Sequence, residues 1–303
     1  MFSYVAFAWN PHESASAESA RTLAQRVRAK RPDLELAFDA GGLSVFCTTR
    51  DIGSNEILPL NDAAGVVLGA VFHRIADETD PSPARRARFD DQQTRTIIAT
   101  RGAHLIQAYW GRYVALLRDP VAPIQWILRD PTSTLPCYHT RQGGLSIFFS
   151  HLPDLESLQL PPWRIDCDAL RTRVVASMVH AGSLLENVSQ VYGGECLELH
   201  GGNVKRQFYW TPLAVANQEP IEDIDHATRA LRATVKSAVH TWAGAHEGIV
   251  LRASGGLDSS IVAGCLRDAP SRPRVVCFTM YSPRDRLITL PWARTIATHL
   301  GVQ

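Results

Sequence analysis

The segment with the clearest chemical potential is the loop Ser-Gly-Gly-Leu-Asp-Ser-Ser at residues 254–260. An apolar run at 248–253 predicts a strand before it, and a second apolar run at 259–267 predicts a helix after it. A glycine-rich turn between a strand and a helix is the layout of a phosphate-binding loop. The segment therefore predicts a pyrophosphate-binding loop and chemistry on ATP.

Each residue type in the loop suits a polyanion. Gly255 and Gly256 lack a Cβ, so their backbone N–H groups can approach phosphate oxygens closely. Ser254, Ser259 and Ser260 add hydroxyl donors. The positive N-terminus of the following helix would face the same anion. A turn between a core strand and a core helix, without chemistry, is the alternative interpretation.

Asp258 indicates which ATP chemistry the loop could support. A carboxylate that faces phosphate is repelled unless a cation lies between them, so Asp258 predicts Mg²⁺ held jointly by protein and nucleotide. A Walker loop would need a lysine on the terminal phosphates, and no lysine occurs from residue 237 to residue 303. These features favour cleavage between the α and β phosphates over transfer of the γ-phosphoryl group.

Composition excludes several classes of function. The chain has 303 residues, with 31 basic against 30 acidic residues, and it lacks the basic excess typical of nucleic-acid binding. The 6 cysteines never form C-x-x-C, which argues against a zinc ribbon or redox pair. They are expected to be reduced thiols in a cytoplasmic protein. The apolar run at the N-terminus is shorter than the about 20 residues of a membrane helix, so no membrane partner is expected.

Residues 1–210 are rich in short strands. The strand candidates are residues 4–9, 43–48, 65–72, 113–117, 125–129, 145–150, 195–200 and 204–209. Helical spacing gives three apolar faces: Ala20, Leu23, Ala24 and Val27; Ile97, Ile98, His104 and Leu105; and Leu170, Val174, Val175 and Met178. Few helices among many strands predict an α+β sheet sandwich with α-β-β-α layers. The charged, proline-containing segment 79–93 is expected to be an exposed loop.

A linker at 211–220 separates this domain from a second one at 221–303, where the pattern changes. An amphipathic helix comes first, and its apolar stripe is Leu231, Val235, Ala238, Val239 and Trp242. His240 and His246 are expected to be surface or cap residues on or near this helix.

After this helix come strand 248–253, the loop, helix 259–267, strand 274–280 and a helix at 291–300. This order is the βαβ opening of a parallel α/β domain, in which ligands bind at the carboxyl ends of strands. Only two strands follow the linker, so we expect the second domain to be incomplete, either because the chain is a fragment or because another chain completes it.

Several motifs together resemble the asparagine synthetase family of ATP-dependent amide-forming ligases. They are SGGLDSS at 254–260, WGRYVALLRDP at 110–120, ILRDPTSTLPCYH at 127–139, GGLSIFFSHLPDL at 143–155, the turn YGGE at 192–195 and the closing Tyr-Trp at 209–210. The resemblance covers nearly the whole chain. It implies a glutaminase-like, N-terminal-nucleophile (Ntn) sheet sandwich, followed by part of a PP-loop domain of the adenine nucleotide α-hydrolase-like type.

The departures from the family pattern concern the glutaminase chemistry. Glutamine-using members carry a nucleophilic cysteine after the initiator methionine, whereas this chain has Phe2. Their Asn-Gly-Glu segment aligns near residues 68–72, where only Gly69 is retained. Hydrolysis of glutamine by that route is therefore excluded, and Cys47 is expected to be a buried thiol rather than a substitute nucleophile.

Loss of the glutaminase nucleophile with retention of the ATP loop resembles two branches that use an amine of the substrate itself, the β-lactam synthetases and the macrolactam cyclases of lasso-peptide biosynthesis. The segments at 109–114 and 7–11 look most like the cyclases. This resemblance implies a precursor peptide, or a small-molecule carboxylate, as substrate. It also implies a leader-peptide-binding protein and a protease of the same pathway as partners.

The resemblance also assigns roles within the site. Ser254, Gly255, Gly256 and Ser259 would bind the departing pyrophosphate, and Asp258 would act in catalysis by positioning Mg²⁺. Leu251 and Met280, at the ends of adjacent strands, would line the adenine and ribose site of ATP.

Two alternatives to a cyclase stay open. One is an asparagine synthetase that uses free ammonia, and the other is a non-catalytic fragment that serves as a binding or scaffolding domain. The second is favoured by the absence of an acidic pair that family members carry near the last helix. Thr289 and Leu290 occupy those positions here, and Asp285 is the only acid after Asp268.

Overall fold

A computed structural model describes residues 2–49, 53–160, 162–176, 182–218, 220–281 and 286–301. It divides the chain into two compact units, Met1–Phe72 with Arg86–Gln218 and His73–Arg85 with Glu219–Gln303. The elements of the first unit are β1 (Tyr4–Ala8), α1 (Ser14–Lys30), β2 (Leu34–Ala40), β3 (Leu43–Thr48), β4 (Glu56–Leu60), β5 (Gly65–His73), α2 (Asp91–Ala99), α3 (Ala103–Ala108), β6 (Tyr109–Arg118), β7 (Ile124–Arg129), β8 (Tyr138–Gln142), β9 (Leu145–Phe149), a 3₁₀ helix (Leu152–Leu158), α4 (Cys167–Val175), β10 (Val188–Gln190), β11 (Glu195–His200), β12 (Asn203–Phe208) and α5 (Pro212–Ala216). Those of the second unit are α6 (Ile224–Gly244), β13 (Gly248–Arg252), α7 (Leu257–Arg267), β14 (Arg274–Phe278) and α8 (Arg286–Leu300).

The first unit contains two antiparallel sheets of 6 strands each. Their strand orders are β10-β8-β9-β1-β3-β2 and β12-β11-β7-β6-β5-β4. Strand β1 lies between β3 and β9, with Tyr4 opposite Cys47 and Val5 opposite Phe149. The mixed α/β architecture with antiparallel sheets agrees with the prediction from the sequence.

Side chains alternate between the two faces of each strand. One face packs in a core between the two sheets, and the other packs in a core beneath the helices. In β1, Tyr4 and Ala6 join the core between the two sheets. Val5 and Phe7 point the other way and pack with Leu23 of α1. Side chains at successive strand positions leave opposite faces of a sheet, so a strand buried on both faces reads as a continuous apolar run.

The second sheet is buried in the same way. Leu68 of β5 faces the core between the sheets, whereas Val67 packs toward the layer that holds Ile97 of α2 and Leu105 of α3. The layers therefore run helix, sheet, sheet, helix, as the strand-rich pattern predicts.

The expectation of an exposed loop at 79–93 is wrong at its C-terminal end. The Asp90 side chain accepts from the backbone N–H of Gln93, and the Gln93 side chain accepts from the N–H of Asp90. This capping box starts α2 at Asp91. Ala87, inside the same segment, is only 1% exposed.

The third predicted helix exists, but its predicted buried face is wrong. Helix α4 has no buried residue, and Val174 and Val175 on its apolar side are exposed. Asp166 starts the helix by accepting from the N–H groups of Asp168 and Ala169. Met178, which completes the predicted stripe, lies outside the described residues.

The second unit has the predicted βαβ order. Strands β13 and β14 are parallel, with Leu251 opposite Cys277. On one face of the pair, Ile249 and Leu251 pack with the cluster of Ala243 and Leu266 from α6 and α7. The opposite face carries Val250, which is 69% exposed.

Helix α6 buries a different face from the predicted one. Its buried residues include Ala230, Ala233 and Ser237, whereas Leu231 of the predicted stripe is 67% exposed. Small side chains allow close approach between elements, and the spacing of large apolar residues does not detect such a face. His240, expected at the surface, is buried, and its Nε2 lies 3.1 Å from the carbonyl oxygen of Cys265.

Residues 73–85 belong to the second unit through contacts with this same helix. The backbone N–H of Ala84 donates to Oγ1 of Thr241 at 2.7 Å. Thr241 is buried, and its hydroxyl donates to the carbonyl oxygen of Ser237. Among the described residues of the chain, no helix is long and apolar enough to cross a membrane.

Candidate functional site

The predicted phosphate loop lies where β13 and β14 end side by side. Directly after β13, the N–H of Ala253 donates to the carbonyl oxygen of Phe278 at 2.9 Å. The hydroxyl of Thr279, just after β14, donates to the carbonyl oxygen of Ala253. These two bonds fix the start of the loop to the carboxyl ends of both strands.

The loop hydroxyls form a local network with the loop backbone. The hydroxyls of Ser254 and Ser259 lie 3.1 Å apart, and the N–H of Ser254 donates to Oγ of Ser259 at 3.3 Å. The N–H of Gly256 donates to Oγ of Ser254, also at 3.3 Å. The Ser260 hydroxyl donates to the carbonyl oxygen of Gly256 at 2.6 Å. The structure thus brings the predicted serines and Gly256 together.

Gly255 occupies a position that only glycine can take. Its φ is +76°, in the left-handed region. A Cβ at this position would lie 2.6 Å from the Cβ of Trp292 and 2.8 Å from the backbone N of Ala293, both in α8. The loop backbone therefore packs directly on the last helix of the unit.

Helix α7 begins with an uncapped N-terminus. Its N-cap residue is Gly256, which has no side chain to accept from the first N–H groups of the helix. These groups are the donors that a helix N-terminus offers to an anion. Asp258 lies in the first turn of α7 and is exposed to solvent.

Asp258 makes no hydrogen bond or ion pair with the residues that the structure describes. Within the same part of the chain, no group of three or more His, Cys, Asp or Glu residues could hold a metal ion. Asp258 could therefore supply one carboxylate to a cation, and the phosphate oxygens of a nucleotide would supply further ligands.

The two residues predicted to line the adenine and ribose site have different surroundings. Leu251 is half-buried and packs with Ile249 and Val275 on the side covered by helices. Met280 follows the end of β14 and is 64% exposed. Met280 is accessible from solvent, whereas Leu251 contributes to the core below the loop.

The glutaminase chemistry has no nucleophile at its expected position. Phe2 is buried and belongs to the core between the two sheets. Cys47 in the adjacent strand is fully buried, and burial raises the pKa of its thiol to about 12. Strand β6 approaches Gly69 closely. A Cβ at this position would lie 2.1 Å from the carbonyl oxygen of Arg112, so the packing requires glycine here.

The contribution of α8 to the site was missed by reasoning from the sequence. Trp292 is 62% exposed and contacts the backbone of Gly255, although the two are far apart in the chain. The glycine pair of the loop is the sequence feature that could have indicated this contact, because a glycine often marks a place where another backbone comes close. Leu290, one of the two positions aligned with the acidic pair of asparagine synthetases, is half-buried. Asp285, the only acid after Asp268, lies outside the described residues.

Comparison with known proteins gives distant structural neighbours. No family model and no curated protein matches the chain. A glutamine phosphoribosylpyrophosphate amidotransferase from B. subtilis, complexed with ADP and GMP, aligns over 95% of this chain and 70% of its own at 10% identity, with a TM-score of 0.39. A structure described as the allosteric regulatory enzyme of purine biosynthesis aligns over 69% of this chain at 10% identity, with a TM-score of 0.36. This chain covers 49% of that enzyme, about half its length.

Proposed function

We propose that this protein is an ATP-dependent ligase that forms an amide bond through an acyl-adenylate. In the first step a carboxylate oxygen of the substrate attacks the α-phosphorus of ATP, the bond from that phosphorus to the bridging oxygen breaks, and pyrophosphate leaves. In the second step an amine nitrogen attacks the acyl carbon, the bond to AMP breaks, and the amine loses a proton to solvent. The products are an amide, AMP and pyrophosphate.

The observation that carries this proposal is the construction of the loop at the carboxyl ends of two parallel strands. Gly255 has a positive φ, and helix α7, whose N-cap is Gly256, begins without a side-chain cap on its first N–H groups. Negative charge that develops on a leaving pyrophosphate is stabilised by such preorganised donors. The lack of any lysine in the loop favours loss of pyrophosphate over transfer of the terminal phosphoryl group.

Within this proposal each residue has a defined role. The backbone of Gly255 and Gly256 and the hydroxyls of Ser254 and Ser259 bind the pyrophosphate portion of ATP. Asp258 holds Mg²⁺, which neutralises phosphate charge when it is bound. A single exposed carboxylate fits this role, because Mg²⁺ sites at nucleotides use one or two carboxylates with phosphate oxygens and water.

The amine is proposed to belong to the substrate itself. Phe2 offers no nucleophile for releasing ammonia from glutamine, and Cys47 is buried with a raised thiol pKa. An amine and a carboxylate on one precursor peptide would give an isopeptide macrolactam, as in lasso peptides. A leader-peptide-binding protein and a protease would then act on the same peptide.

The experiment offers the chain ATP, Mg²⁺ and one of two substrate sets. One set is a leader-bearing precursor peptide with an N-terminal amine and an acidic side chain, and the other is aspartate with ammonia. We expect AMP and pyrophosphate to form only with the peptide, together with a peptide product that has lost one water. Amide formation from aspartate and ammonia would favour an asparagine synthetase. Release of ADP and phosphate, or no turnover with either set, would contradict the proposal.

A further inference from the structure

A polar cleft of about 570 Å³ lies in the first unit, far along the chain from the loop that follows β13. Residues of β8, β10 and β12 line it, together with the turn before β11 and the start of α4. The charged and polar side chains that matter to the argument are His139, Arg141, Asp166, Tyr192 and Arg206. None of them has a role in the proposed ligase reaction.

His139 lines this cleft and carries an unsatisfied polar atom. The residue is 6% exposed, and its ring stacks on Phe148 with ring centroids 4.7 Å apart. Its Nε2 is enclosed and has no hydrogen-bond partner in the part of the chain that the structure describes. An enclosed polar atom without a partner is destabilising, so native proteins rarely retain one without a ligand or water.

The guanidinium of Arg206 is fixed by hydrogen bonds that use only some of its N–H groups. Its Nε and Nη2 donate to the two carboxylate oxygens of Glu195 at 2.6 and 2.8 Å, and Nη2 also donates to the carbonyl oxygen of Gln190. The guanidinium lies over the ring of Tyr192, 5.9 Å from its centroid. These bonds occupy Nε and Nη2, and the N–H groups of Nη1 are the remaining donors.

Arg141 is the second cation of the cleft. Its Nη2 donates to the carbonyl oxygen of Gly202 at 2.6 Å, which fixes one edge of the guanidinium. Burial, and then the charges of Arg206 and Arg141, lower the pKa of His139 to about 4. The ring is therefore neutral at physiological pH and lies in positive surroundings.

The acidic groups near the cleft are already engaged. Glu195 is paired with Arg206. Asp166 lines the cleft, but its Oδ1 accepts from the N–H groups of Asp168 and Ala169 at the start of α4. The charge of Glu195 and one carboxylate oxygen of Asp166 are thus met by protein groups.

We propose that this cleft binds a small oxyanion, a carboxylate or a phosphate, between Arg141, Nη1 of Arg206 and the ring of His139. A neutral imidazole with its proton on Nε2 donates to such an anion. Guanidinium groups match the geometry of carboxylate and phosphate oxygens. The site lies within the first unit, so it does not depend on the ligase proposal.

The test uses the full chain and two probes, inorganic phosphate and succinate, each titrated at constant ionic strength with chloride as the balancing ion. Calorimetry measures the affinity, and NMR of the histidine ring nitrogens follows the titration of His139. We expect saturable binding of at least one probe, with a rise of the His139 pKa in its presence. Arg141→Gln is expected to weaken that binding about tenfold or more, because a charge-assisted hydrogen bond is lost. The probe that binds more tightly identifies the source of the oxyanion.

Arg95→Gln is the matched control, since Arg95 is an exposed arginine on α2 outside the cleft. It is expected to leave the affinity unchanged. His139→Gln gives a second variant that retains a side-chain donor and should bind more tightly than His139→Phe. Binding that does not saturate, equal affinity in Arg141→Gln and Arg95→Gln, or a His139 titration unmoved by both probes would overturn the proposal.

Discussion

Gly255 and Trp292 are so close that a Cβ added to Gly255 would lie 2.6 Å from the Cβ of Trp292. The loop that follows β13 is therefore supported from behind by helix α8. The φ of Gly255 is +76°, a backbone conformation that residues with a Cβ rarely adopt. The candidate phosphate loop thus depends on a contact between distant parts of the second unit.

Gly255→Ala should damage both the stability and the activity of the second unit. A left-handed conformation costs a residue with a Cβ about 1–2 kcal/mol, and displacement of α8 adds to that cost. The free energy of unfolding and the rate of ATP–pyrophosphate exchange should both fall. Gly264→Ala is the control, because nothing lies within 4 Å of a Cβ there and the residue is inside α7. That variant should be more stable by about 0.5–1 kcal/mol and keep full exchange.

Ser259→Ala should loosen the loop without unfolding the unit. The Ser259 hydroxyl accepts from the N–H of Ser254 and donates to the carbonyl oxygen of Gly256 at 3.2 Å. Loss of these bonds is expected to cost about 1 kcal/mol of stability. The apparent KM for ATP should rise, as steady-state kinetics would measure. A KM equal to that of the unaltered protein would show that the network has no part in nucleotide binding.

Alkylation separates the exposed thiol from the buried ones. Cys167, at the start of α4, is exposed and should react first with iodoacetamide at neutral pH. Cys47 and Cys196 are buried, and burial raises the pKa of each thiol to about 12. They should react only after unfolding, as peptide mass spectrometry can follow. Rapid labelling of native Cys47 would reopen the question of a substitute nucleophile.

His139 makes the stability of the first unit depend on pH. Burial and the neighbouring arginines lower its pKa from 6.5 to about 4, so the unfolded chain takes up the proton more readily between these values. Stability is full above pH 6.5 and is lost as the pH falls toward 4. At about 1.4 kcal/mol for each pKa unit, the loss by pH 4.5 should be about 2–3 kcal/mol.

His139→Phe provides the comparison for this effect. It retains an aromatic ring on Phe148 and removes the titrating group. Urea denaturation at pH 7 and pH 4.5, in buffer without phosphate or carboxylate, should show a smaller loss of stability in the variant. An equal loss in both proteins would mean that other groups account for the pH dependence.

The sequence predicted the strands best where both of their faces are buried. The strands near Val5 and Val67 are apolar runs, and their candidates match β1 and β5 of the structure. Four strands, β2, β4, β8 and β10, have no counterpart among the candidates. Strand β8 is polar and β10 has only 3 residues, whereas β2 and β4 are edge strands that are only partly buried. Sheet order was beyond prediction, since it depends on pairing between segments far apart in the chain.

The candidate site was predictable in its local part only. The strand, the loop with Ser254 and Ser259, and the helix follow from neighbouring residues. The support of Gly255 by Trp292 and the burial of His240 depend on tertiary packing. The face of α6 was misplaced for the same reason, because small residues such as Ala233 allow a close contact that large apolar residues do not mark.

The role of the loop in adenylation can be tested with Asp258→Ala, by ATP–pyrophosphate exchange measured with precursor peptide and Mg²⁺. Asp268→Ala is the matched control, since Asp268 is an exposed acid at the other end of α7 and pairs with Arg267. We predict that exchange is lost in Asp258→Ala and retained in Asp268→Ala, with the stability of both close to that of the unaltered protein. Undiminished exchange in Asp258→Ala would contradict the role of Asp258 and of this loop in adenylation.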